Sequence, residues 1–118
     1  PIGLKHLTIL RSGLSHLREH KFKHNFKDTP SLLCSCQTNQ PEHVEHFLLH
    51  CPNYLSLRSE LFHHLSEIIS LVTLISPSYT CDLLLYGNSN YDFLTNKCIL
   101  ELTINFIVSS DRFSGPFM

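Results

Sequence analysis

The chain has 118 residues, 42% hydrophobic and 16% charged, with a formal net charge of −1. That length and mixture fit one folded domain and exclude disorder driven by charge. The longest apolar run, residues 68–75, falls far short of the roughly 20 residues that cross a bilayer, so no membrane partner is expected.

Leu4, Leu7, Leu10, Leu14 and Leu17 recur at spacings of three and four and predict a helix over Leu4 to His20. Residues 1–27 hold six bases, Lys5, Arg11, Arg18, Lys21, Lys23 and Lys27, against the single acid Glu19, a net +5; residues 28–118 carry nine acids and three bases, a net −6. A block of that sign suits contact with phosphates of RNA or DNA, and a solvated helix face is the plain alternative. Residues 21–30 lose the helical period and read as a loop anchored by Phe22 and Phe26.

Three cysteines and three histidines then fall within residues 34–51. Zinc takes four thiolate or imidazole ligands in a tetrahedron. Cys34 and Cys36 can face one point across a tight turn, and a helix opened by Pro41 and Glu42 would present His46. On a continuing α-helix His46 and Cys51 would stand about 140° apart. Pro52 disfavours helical geometry at Cys51 and frees its sulfur to swing back. The preferred ligand set is therefore Cys34, Cys36, His46 and Cys51, spaced C-x-C-x9-H-x4-C. His50 is the alternative fourth ligand, one turn from His46, and His43 comes third. Glu42 or Glu45 is a candidate acceptor for an imidazole proton. Four protein ligands close the coordination sphere, so Zn2+ here would be structural.

A long helix is expected from Tyr54 to about Leu74, then a break at Ser76-Pro77-Ser78, then a short apolar piece, Cys81 to Tyr86, open to a helical or a strand reading. Gly87 to Asn90 is a turn, and a last helix is expected from about Tyr91 to Ser110, with a strand as the lesser alternative because of the β-branched Thr103, Ile104, Ile107 and Val108. Cys81 and Cys98 sit singly in apolar segments and read as core; His63 and His64 read as exposed or partly packed. The fold expected is mainly α, a small helical module stapled by a zinc knuckle. Its parts are a basic helix and loop over residues 1–33, the knuckle over 34–52 and a helical tail over 53–118. No Gly-rich phosphate loop, G-x-S-x-G or spaced carboxylate set is present, so neither catalysis nor a small-molecule substrate is expected. With no signal-peptide pattern, the cysteines suit an intracellular setting, nucleus or cytoplasm.

The stretches LTILRSGLSHLREHKFKHNF, LLCSCQTNQPEHVEHFLLHCPNY and NKCILELTINFIVSSDRFSGP together resemble the C-terminal region of reverse transcriptases encoded by non-LTR (LINE-type) retrotransposons, over nearly the whole chain. The resemblance implies that Cys34, Cys36, His46 and Cys51 are the ligands, with Glu42 the preceding acid and Pro52 the following proline, which favours Cys51 over His50. It implies a nucleic-acid-binding appendage of an RNA-directed DNA polymerase, the chain being a fragment of a longer polyprotein whose remainder is a partner. Two positions depart from the family pattern. Gln37 stands where it has glycine, so strain is expected after the second cysteine, and Ile9 falls where similar sequences often have arginine. The alternative roles are a packing module, docking through the apolar face from Ile99 to Val108, and an inactive retroelement-derived reading frame.

Overall fold

The computed structural model describes Thr8, Arg11, Leu17, Ser31 and residues 33–112. The expected helix over Leu4 to His20, the loop at 21–30, and Lys5, Ile9, Arg18, Lys21, Lys23 and Lys27 lie outside the described residues, Thr8, Arg11 and Leu17 excepted.

Three helices make the frame: α1, Leu55–Ser66; α2, Pro77–Tyr86; and α3, Phe93–Ser110. The protein is mainly α-helical, and α3 packs against both α1 and α2. Each helix buries residues at helical spacing. In α1 these are Arg58, Leu61 and Leu65; in α2, Thr80, Cys81, Leu83, Leu84 and Leu85; in α3, Ile99, Thr103, Phe106 and Ile107. Leu17 is buried in the same core. Of the Ile99 to Val108 face, Ile99, Thr103, Phe106 and Ile107 are buried in the protein's own core, Leu102 and Ile104 are partly buried, and Val108 stays exposed.

The helix boundaries have local causes. Ser76 caps α2 by accepting the Tyr79 amide at 3.1 Å with Pro77 at the first helical position, so Ser-Pro opens a helix there and the apolar piece after it is helical. Gly87 ends α2 at φ +74, and a Cβ there would lie 2.7 Å from Asn96 Oδ1. Asp92 caps α3 by accepting the Thr95 amide at 2.8 Å.

The expected helix through Leu74 stops at Ser66. The Ser66 hydroxyl donates back to the His63 carbonyl, and the Ile68 and Ile69 amides both bond to the Leu65 carbonyl, turning Ile69 into the core. A single 3-10 turn, Leu71–Thr73, follows. Cys98, expected in the core, is exposed, whereas Cys81 is buried. No helix among the described residues is long and apolar enough to cross a membrane.

Candidate metal centre

Leu33 and Pro41 form an antiparallel bridge, and the Cys34 amide donates to the Gln40 carbonyl at 2.8 Å. The pairing closes a small loop carrying Cys34 and Cys36. It also corrects the placing of Pro41 in a helix: the following helical turn begins at Val44. Within the loop Gln37 and Asn39 take φ of 67 and 59, the left-handed region that asparagine enters readily and that strains a glutamine.

His46 opens a π-helical turn, His46–His50, in which the Cys51 amide donates to the His46 carbonyl at 2.7 Å. A π-turn bonds residue i to i+5, so it brings together two positions that an α-helix would set apart. Cys51 then leaves helical geometry, at φ −63 and ψ 122, as the residue before proline must, and Pro52 opens a 3-10 turn over Pro52–Tyr54. Both devices, the wide turn and the proline break, aim Cys51 at His46.

The ligand atoms of Cys34, Cys36, His46 and Cys51 all lie within 4.8 Å of one another. Cys34 Sγ and Cys51 Sγ are 3.7 Å apart, and Cys36 Sγ is 3.3 Å from His46 Nε2. A zinc tetrahedron with bonds of about 2.3 Å to sulfur and about 2.0 Å to nitrogen has edges of about 3.8 Å between sulfurs and about 3.5 Å from sulfur to nitrogen. A disulfide needs about 2.05 Å, and all five cysteines are free thiols. The Cys3His cluster is geometrically suited to a structural Zn2+ ion, with every ligand supplied by the chain.

Burial sets the electrostatics of the cluster. It pushes the Cys34 thiol up to about 12 and raises Cys51 as well. Cys36 is nearer the surface; slight burial raises it, but hydrogen bonds from the Thr38 hydroxyl and amide outweigh that and leave it below the ordinary thiol value. Burial, followed by the neighbouring His43 and His50, holds His46 below the ordinary imidazole value. His46 is therefore neutral at neutral pH, the form that binds metal. Buried thiols of this kind give up their protons when a cation binds at their centre.

His50 and His43 are placed elsewhere. His50 is half exposed, and its Nε2 meets Glu45 Oε2 at 3.1 Å. His43 Nδ1 accepts the His46 amide at 3.0 Å and so caps the ligand-bearing turn. Glu42 is buried and takes a two-pronged bond from Arg112, whose Nε donates to Oε2 at 2.8 Å and Nη2 to Oε1 at 2.7 Å. The acid before the histidine thus ties the knuckle to the residue after the end of α3.

Sequence reasoning missed Arg58. Its buried guanidinium donates from Nε to the Leu48 carbonyl at 2.8 Å, from Nη1 to Cys51 at 2.8 Å and from Nη2 to Phe47 at 3.0 Å. Two of these carbonyls belong to the π-turn and the third to the residue after it, and one fork reaches all three. A lone arginine in an apolar helical stripe, seven residues after Cys51, was the available signal. Phe47, next to His46, meets Tyr54 and Phe106 edge-on at 5.3 and 5.4 Å between ring centroids, so the ligand turn is seated in the core.

Of the six bases singled out for nucleic acid, Arg11 is described. Its Nε donates to the Leu85 carbonyl, its guanidinium lies 5.1 Å from the centre of the Tyr86 ring, and its own carbonyl accepts from the Tyr86 hydroxyl at 3.2 Å. Compared with models of known families, with curated proteins and with solved structures, the chain matches none.

Proposed function

We propose that this chain is a zinc-stapled, non-catalytic docking module of a larger polypeptide, of the kind that follows the polymerase in the reverse transcriptases it resembles. The observation that carries the reading is the sign of the described surface. Residues 33–112 hold eight acids and three bases, a net −5. Two of those bases, Arg58 and Arg112, are engaged with the π-turn carbonyls and with Glu42. Apolar side chains stand out instead: Phe93 is 77% exposed, and Leu94, Val72 and Ile75 are exposed as well. An acidic surface with apolar projections favours a protein partner over a phosphate backbone.

The basic block of residues 1–27 supports a second reading, in which the same module holds RNA or DNA. One experiment separates the two. The zinc-loaded chain is co-expressed with the polypeptide encoded upstream in its reading frame, and its binding to labelled RNA and DNA is followed by anisotropy over a salt series. The docking reading predicts co-purification that is lost in Phe93→Ser/Leu94→Ser and kept in Lys21→Glu/Lys23→Glu. Strong nucleic-acid binding that falls with salt and with Lys21→Glu/Lys23→Glu, without co-purification, would replace it by the second reading.

A further inference from the structure

Between the end of α1 and the middle of α3 runs an open groove of about 730 Å³. One wall carries His64, Glu67 and Ile68, and the other Cys98, Glu101 and Leu102. His64 lies in the last turn of α1 and Glu67 and Ile68 just past its end, whereas Cys98, Glu101 and Leu102 share one face of α3. Ile68 and Leu102 are partly buried in its floor. Its rim is acidic. Glu67 and Glu101 are exposed, no lysine or arginine is among the lining residues, and Lys97, one turn ahead of Glu101, lies outside them. The end of α1 adds the negative end of a helix dipole at the same rim.

We infer that this groove receives a basic amphipathic helix from a protein partner, its apolar stripe on Ile68 and Leu102 and its lysines or arginines against Glu67 and Glu101. The inference rests on the docking reading and names the chemistry of the partner. An apolar floor selects for an amphipathic helix, and acidic walls select its sign. His64 Nδ1 lies 3.3 Å from Glu67 Oε1 on that side of the groove.

Cys98 makes the groove testable because it is an exposed thiol in the wall, whereas Cys81 is buried and the other three cysteines form the metal cluster. The probe is a synthetic helical peptide with a leucine stripe flanked by lysines; its control carries glutamate at every lysine. N-ethylmaleimide labelling of the zinc-loaded full chain is followed by intact mass. The basic peptide at ten times its Kd slows Cys98 labelling about tenfold, since only the free fraction reacts. In Glu67→Lys/Glu101→Lys the basic peptide weakens at least about tenfold and the acidic peptide gains protection. The milder Glu67→Gln/Glu101→Gln weakens the basic peptide without attracting the acidic one, and it decides the matter should the charge reversal disturb folding.

Equal protection by both peptides, protection unchanged in the variants, or no protection by the basic peptide at any concentration would overturn the assignment. Failure here with upstream co-purification intact removes the groove and leaves the docking reading. Loss of co-purification with Cys98 still protected removes that reading and leaves the groove's preference for a basic helix.

Discussion

Gln37 shows how one backbone angle carries information about the cluster. At φ 67 it occupies a region that costs a residue with a Cβ about 1–2 kcal/mol, and it does so to turn the chain directly after Cys36. Glycine relieves that cost but adds freedom to the unfolded chain, so Gln37→Gly is expected to stabilise the zinc-loaded protein by about 0.5–1 kcal/mol in urea unfolding. A loss of stability would show that the turn depends on the glutamine side chain. The strain was legible in the sequence, because the resemblance put glycine at this position. The clustered residues were legible too, since spacing and Pro52 put Cys34, Cys36, His46 and Cys51 first, with His50 left as the alternative to Cys51 that the resemblance disfavoured. The partners of Glu42 and His43 were not. Arg112 is 70 positions from Glu42, and His43 acts on a backbone amide, a contact that residue type does not announce.

At the scale of elements, the π-turn departs most from what periodicity suggested. Arg58 reaches from the neighbouring helix to the Phe47 and Leu48 carbonyls of the π-turn and to the Cys51 carbonyl after it, which also accepts the Tyr54 amide. Arg58→Ala would strand buried carbonyls at the site where Cys51 is positioned, and a loss of about 3 kcal/mol or more in urea unfolding is expected. Arg58→Lys should recover little of it, because an ammonium cannot match the fork. A loss under about 1 kcal/mol in Arg58→Ala would mean that water replaces the guanidinium without consequence. The last helix was readable from its apolar period after the Gly87 to Asn90 turn, whereas α1 was read too long. Ile68, Ile69 and Val72 keep a helical period, and the fold-back onto the Leu65 carbonyl that ends the helix is a backbone event that periodicity does not carry.

At the scale of the molecule, the ties between the knuckle and the helical frame among the described residues include the Phe47, Tyr54 and Phe106 rings, the Arg58 fork, and the Glu42–Arg112 pair. The Glu42 side chain is 5% exposed and that of Arg112 25%, so the pair is worth more than a surface bridge. A double-mutant cycle with Glu42→Gln and Arg112→Gln is expected to give a coupling of about 1–3 kcal/mol, and additive effects would show the two ends to be independent. That coupling makes the cluster a staple for the whole described fold, because loosening the ligands loosens the seat of Phe47.

Apparent zinc binding to structural sites is worth on the order of 10 kcal/mol, comparable to the full stability of a domain of this size. Elemental analysis combined with thermal melting tests this most directly. One zinc per chain is expected, lost in Cys34→Ser and in Cys51→Ser but kept in His50→Ala, with a melting transition that falls sharply on chelation. A chain that folds without metal and melts at the same temperature in the presence of a chelator would contradict the account.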